Sequence, residues 1–418
     1  MDLLIKSAKI IDKNSPFHLK TQDVLIEKGK VSTIASNIKN TKKIKEIALD
    51  NLHISIGWFD TSVSFGEPGF EERETIVNGL KVAAKSGFTA VAMNPNTNPV
   101  IDNKSAVEFL VNKAKSNIVD MFPIANLTQQ AKGQELAELF DMHKSGAIAF
   151  GDYNKAVDNA NLMKIALLYA QNFDGLVLSF PQNNSLSNLG SANEGATSTK
   201  LGLKGNPAIA EELQIARDLF LLEYTGGKLH IPTITTEKSV KLIADAKKKG
   251  LDVTCSVSAH HLFLTDDELN EFNTNYKVSP PLRTKKDVNS LKKGIIDGTI
   301  DIITSDHNPI DVENKKIEFE NAMEGSIGLE SFFGAVNEVL PLENLIDGIT
   351  NKPRKRFNIV NPTIVEGQIA NITLFNPDVE YEFTVKNIFS TSKNSAFLGK
   401  RLKGKVYGIF TNNKLVIN

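Results

Sequence analysis

The chain has 418 residues, with 48 Lys+Arg against 49 Asp+Glu for a formal net charge of −1, and is 41% hydrophobic and 23% charged. That balance excludes a disordered chain, and a near-zero charge supplies no field to hold a nucleic-acid backbone or an anionic membrane. The length suits two or three domains, or one large α/β barrel with an appendage. Cys255 is the one cysteine, so no intramolecular disulfide forms and a reducing compartment is the simple reading.

Residues 1–12 alternate like a strand and lack the basic start and apolar run of a signal peptide. Every long apolar stretch is broken well before about 18 residues, so no membrane span is expected and a cytoplasmic location follows. Short strands are predicted at Leu3–Ile5, Val24–Ile26 and Val31–Ile34, separated by turn formers such as Asp12-Lys13-Asn14 and Lys28-Gly29-Lys30. The far end looks alike, with strands at 370–375, 381–385, 406–411 and 415–417. Residues 1–53 together with 365–418 are therefore expected to form one small β-sandwich domain.

Residues 54–364 change rhythm to strand, loop and helix. Strands are predicted at 54–59, 89–93, 119–125, 147–150, 175–180, 228–234, 252–257 and 300–304. Helical patterns lie between them at 74–86, 135–144, 159–171, 207–224, 237–249 and 284–297, several stopped by a glycine such as Gly87, Gly146, Gly250 or Gly298. Eight strands alternating with helices predict an α/β fold, a (β/α)8 TIM-type barrel.

A barrel does its chemistry at the carboxyl ends of its strands. Those ends carry Asp60 to Gly69, Asn94 to Pro99, Phe150 to Tyr153, Ser179 to Asn183, Thr233 to Thr236, Ser258 to His261 and Thr304 to Pro309. Several motifs stand out in or beside them: Glu67-Pro68-Gly69-Phe70, Pro95-Asn96-Thr97-Asn98-Pro99, Asn193-Glu194-Gly195, Ala259-His260-His261-Leu262, Lys277 to Arg283, and Ser305-Asp306-His307. Through them the chain resembles dihydroorotases of the bacterial class I type, in the cyclic amidohydrolase superfamily. The resemblance runs from Gly57 to Glu330 and implies the same barrel with a β domain from both termini.

It also implies metal-assisted hydrolysis of a cyclic amide in pyrimidine biosynthesis. Zinc lowers the pKa of a bound water to about 7 and polarises the carbonyl, while a carboxylate moves the proton. The family's ligands are a His-x-His after the first strand, an acidic residue or carboxylated lysine at the fourth, histidines at the fifth and sixth, and an aspartate at the eighth. Here the four histidine positions fall on Ser62, Ser64, Phe180 and Thr233. Two vestigial acidic positions remain, Asp152 and Asp306, with Asp306 the acid/base position. In the substrate shell Asn96 is retained, whereas the arginine position is Gly66, an asparagine position is Ser279 and a histidine position is Ile310.

Hydroxyls are poor zinc ligands beside imidazole, and a phenyl ring is none. No cofactor is expected on this reading. The surviving His260, His261 and His307 are taken as hydrogen-bonded structural residues and Cys255 as a buried, inert thiol. Three functions stay open. The first is a catalytically silent homologue, a pseudoenzyme kept as scaffold or regulatory partner of aspartate carbamoyltransferase, the enzyme the resemblance implies. The second is an active dihydroorotase or related cyclic amidohydrolase with a divergent metal site holding zinc, supported by the surviving Asp152, Asp306 and Asn96. The third is a binding protein for a small cyclic ligand. The first is preferred, and the family's habit makes the chain a homodimer.

Overall fold

A computed structural model describes residues 1–418. Eight parallel strands, Trp58–Val63, Phe88–Met93, Asp120–Ala125, Ala149–Phe150, Leu176–Leu178, Lys228–Ile231, Val253–Ser258 and Ile302–Thr304, pair in chain order. The last returns to the first, where Val63 bridges His307 and the Ser64 amide donates to the His307 carbonyl at 2.7 Å. This is a nearly closed (β/α)8 barrel. Asp60 reinforces the seam, because its carboxylate accepts from the Thr304 hydroxyl and from the Ser305 amide.

All six predicted helices form, each within a few residues of its expected limits. Thr75, Asn159 and Thr236 cap three of them by accepting first-turn amides. Thr284 and Asp287 close a capping box on a fourth, which Gly298 ends in the left-handed region.

The strand expected over 54–59 is two strands. His53–Ile56 pairs with Ile372–Glu382 and with Leu3–Ile10 in a second sheet, and the barrel strand begins only at Trp58. Gly57 makes the crossing; a Cβ there would sit 2.1 Å from the Thr89 hydroxyl and 1.9 Å from Asn371 Oδ1. Trp58 is a joint between the two units, since its ring packs 4.9 Å from Phe333 and 5.6 Å from Phe375 of the second sheet.

Both termini build that second sheet. Its order runs Lys414–Ile417, Arg401–Thr411, Ile372–Glu382, His53–Ile56, Leu3–Ile10, Thr21–Glu27 and Lys30–Ala35, with Lys45–Ile47 also on Leu3–Ile10. These strands are linked in one mixed sheet, the accessory β unit that the sequence assigned to both termini. Lys28-Gly29 and Asn412-Asn413, all at positive φ, close its two tight hairpins. Its alternate residues, among them Leu3, Ile5, Val24, Ile26 and Ile54, bury a core separate from that of the barrel.

Candidate active site at the barrel mouth

Five side chains meet where the first, second, fourth and eighth strands end. The Ser62 hydroxyl donates to Asp306 Oδ1 at 3.0 Å, and Asn94 Nδ2 donates to Ser62 Oγ at 3.1 Å and to Ser64 Oγ at 3.2 Å. The Tyr153 phenol donates to the same Asp306 oxygen at 3.4 Å. Phe180, Thr233 and His230 complete the wall, and the space left among them is about 30 Å³, room for a water or two.

Burial pushes the Asp306 carboxyl up to about 7, and the Asp60 carboxylate beside it adds to the rise while the Ser62 hydrogen bond opposes it. Asp60 itself is raised to about 6 by burial, against its bonds from Ser305 and Thr304. Burial also lifts the Tyr153 phenol well above its ordinary value. The mouth is thus held by neutral hydroxyls and an acid close to neutrality.

Tyr153, Thr233 and Asp306 all have positive φ, at 57°, 52° and 49°. Three non-glycine residues in the left-handed region at one barrel mouth store strain of about 1–3 kcal/mol each. Such strain marks functional sites, and nothing in residue type or spacing announces it for Thr233.

The expected positions divide into two groups. Ser62, Phe180, Thr233 and Asp306 line one cavity, with Ser64 tied to it through Asn94. Asp152 faces elsewhere. Its carboxylate accepts from the amides of Leu127 (3.0 Å) and Thr128 (3.1 Å), from Asn126 Nδ2 (3.3 Å) and from the Thr128 hydroxyl, so it clamps the loop after the third strand. Asp152, the vestigial acidic position of the fourth strand, is thus a buried clamp; the residue that this strand offers to the mouth is Tyr153.

Asn96 lines a neighbouring cavity of about 310 Å³ with Arg73, Tyr153 and Glu324, and its Oδ1 has no partner. Gly66 is closed off, for a Cβ there would lie 1.8 Å from the Phe70 carbonyl oxygen. Sequence reasoning placed Asn94 at a strand end but gave it no role. Its position, the first residue beyond the second strand, was the available signal.

The histidines serve the fold. His230 contacts the Thr254 hydroxyl at 2.8 Å and the Ser256 hydroxyl at 3.2 Å. His261 bridges the Ser258 hydroxyl (2.7 Å) and the Pro280 carbonyl (3.0 Å). His307 Nδ1 accepts the Gly328 amide at 3.1 Å. His260 departs from expectation. Neither ring nitrogen has a hydrogen bond, the ring packs 5.1 Å from that of Phe397, and burial pushes its pKa down to about 3. Cys255 is buried and its thiol is raised by that burial.

Zinc does not fit the mouth. Two serine hydroxyls, a threonine, a phenol and one nearly neutral carboxyl are not a zinc donor set, and no three His, Cys, Asp or Glu residues gather anywhere to hold an ion. No helix is long and apolar enough to cross a membrane.

Comparison with known proteins agrees with the architecture. The family model for dihydro-orotase-like proteins matches residues 53–239. A dihydroorotase of Ruminiclostridium cellulolyticum is 40% identical over 412 residues, covering 97% of this chain and 96% of its own length. One from Geotalea daltonii is 36% identical over 422 residues, covering 100% and 99%. In fold, the L-hydantoinase of Arthrobacter aurescens superposes with a TM-score of 0.88 at 21% identity, covering 100% of this chain and 96% of that one. With identity of this order along the whole chain, on a nearly closed parallel barrel with an accessory terminal sheet, the chain belongs to the dihydroorotase family of the amidohydrolase superfamily.

Proposed function

We propose that the chain is a catalytically silent dihydroorotase homologue, retained as a scaffold or regulatory partner of aspartate carbamoyltransferase. The observation that carries this reading is the network of Asn94, Ser62 and Asp306. Hydroxyls and a phenyl ring stand at the positions where the family carries imidazoles, and the Ser62 hydroxyl, itself held by Asn94, donates to the remaining carboxyl. The space at the mouth, lined by Tyr153 and Phe180 among others, is about 30 Å³, too little for a cyclic substrate. Such donors do not suit zinc and so offer no route to an activated water. Identity along the full length supports retention of the fold, which is what a protein partner would recognise.

Zinc analysis of the purified protein, together with a dihydroorotate hydrolysis assay, tests the silent state. Substoichiometric zinc and no turnover are expected; stoichiometric zinc with turnover overturns it. Gel filtration with aspartate carbamoyltransferase of the same organism tests the partner. Co-elution is expected, and independent migration counts against it.

One observation favours a second reading, an active cyclic amidohydrolase with a divergent site. An acid whose pKa stands at about 7 is matched to proton transfer near neutrality. The same assay decides between the two.

A further inference from the structure

Buried carboxylates accept serine or threonine hydroxyls at several places in this fold, and most of them are otherwise committed. Asp60, bonded to Thr304, also accepts the Ser305 amide. Asp152, bonded to Thr128, accepts the amides of Leu127 and Thr128. Glu211, bonded to Thr235, accepts the amides of Thr235 (2.8 Å) and Thr236 (3.1 Å). Asp218, bonded to Ser179, is held by the Arg217 guanidinium at 2.6 Å. Amides and cations favour the charged carboxylate and make each of these a poor proton acceptor. Asp306 differs: its donors are two hydroxyls, Ser62 at 3.0 Å and Tyr153 at 3.4 Å, both on Oδ1.

Ser62 is also held as a nucleophile would be. Its amide donates to Asp60 at 3.1 Å, and Asn94 Nδ2 donates to its Oγ at 3.1 Å. The hydroxyl proton points at Asp306 within reach of a general base, and a second lone pair on Oγ stays free for attack. Nucleophile, base and an orienting third group are the parts of acyl transfer. Tyr153 and Thr233, on the wall of the same cavity, bring hydroxyls that can donate to an oxyanion.

The cavity sets the size of the acyl group. Its space of about 30 Å³ takes a one- or two-carbon acyl group, the bulk of a few water molecules. A wider cavity of about 420 Å³ shares Asn154 and Ser279 with it and is lined by Gln182, Lys204, Lys277 and Glu320. That wall suits a polar leaving group.

We propose that Ser62 is a nucleophile toward formyl or acetyl esters of polar alcohols, with Asp306 as its general base. Ser62 Oγ bonds to the acyl carbon while its proton passes to Asp306. The ester C–O bond then breaks, and Asp306 gives that proton to the departing alkoxide. Water later cleaves the acyl-Ser62 ester, releasing formic or acetic acid and restoring the hydroxyl. The mouth's donors do not suit zinc, so nothing activates this water as a metal would, and the acyl form accumulates. The proposal rests on that unfitness for zinc and adds a chemistry distinct from cyclic amide hydrolysis.

Treatment of the full chain with p-nitrophenyl acetate in excess chelator tests it. A burst of about one nitrophenolate per chain is expected, with an acetyl group mapped to Ser62 by peptide mass analysis. p-Nitrophenyl butyrate, whose acyl chain exceeds the cavity, should react about tenfold more slowly. Ser62→Ala should lose the mapped ester, and Asp306→Asn should slow the burst about a hundredfold, with circular dichroism checking both folds. Should Ser62→Ala unfold, Ser62→Cys takes its place and is expected to carry the acetyl group as a thioester. Acetylation of lysines alone overturns the proposal, as does an unchanged burst in folded Asp306→Asn. Stoichiometric zinc with dihydroorotate turnover overturns the silent reading instead, whereas zinc-free protein that forms no acyl-Ser62 overturns this proposal alone.

Discussion

Ser62 donates its hydroxyl proton to Asp306 across 3.0 Å, joining the ends of the first and eighth barrel strands. The bond uses one oxygen of the Asp306 carboxyl and adds a polar link to the backbone seam between Ser64 and His307. A mouth built this way gains its order from neutral hydrogen bonds.

Its pH response follows. With the Asp306 carboxyl pushed up to about 7 by burial, the folded chain keeps a proton that an unfolded aspartate releases at about pH 4. Across that window the folded state binds the more protons, so stability is full below it and falls as the pH rises through it, by on the order of 4 kcal/mol. Asp60, raised to about 6, acts in the same direction. Asp306→Asn removes the larger contribution, and urea midpoints at about pH 5 and about pH 8 should then differ less than in the wild type. Equal differences would assign the titration to another group.

Restoring imidazoles should restore metal. The combination Ser62→His, Ser64→His, Phe180→His and Thr233→His surrounds Asp306 with zinc ligands, and about one zinc per chain is expected by elemental analysis. The wild type purified in parallel should hold far less. A histidine variant that folds and takes up no zinc would show that these positions do not converge.

Asp152 should matter for stability alone. Asp152→Ala strands two backbone amides and two side-chain donors of residues 126–128, costing about 3 kcal/mol in urea denaturation. Zinc content should not change. A neutral effect on stability would contradict the clamp.

Gly66 should tolerate no side chain. A Cβ 1.8 Å from the Phe70 carbonyl oxygen forces the loop apart, and Gly66→Ala is expected to lower stability by about 3 kcal/mol. Thermal melting measures it, and an unchanged melting temperature would mean that the loop opens freely.

The strand and helix alternation was legible because the apolar periods are strong, as in Ile243 and Ala246 of the helix Glu237–Lys248. The helix Lys104–Ala114 was missed. It buries only Val107, Leu110 and Ala114 and exposes Phe109 and Val111, so its apolar pattern is blurred. At the mouth, the family resemblance located Ser62, Phe180, Thr233 and Asp306. It could not separate Asp152 from Tyr153, because adjacent residues at a strand end diverge according to backbone angles, and Tyr153 lies at a φ of 57°. Sequence spacing carries no record of that angle.

The pairing of Ile54 with Leu374 has a consequence for synthesis of the chain. The strand His53–Ile56 is made early, yet one of its sheet neighbours comes from near the other end of the sequence. During translation that edge, with its unpaired amides and carbonyls, waits through the assembly of an entire barrel. A nascent chain stalled before residue 372 carries an open, largely apolar strand edge, the kind of surface that chaperones cover and aggregates extend. Strands on one side of the barrel segment belong to a sheet that only strands on its other side complete.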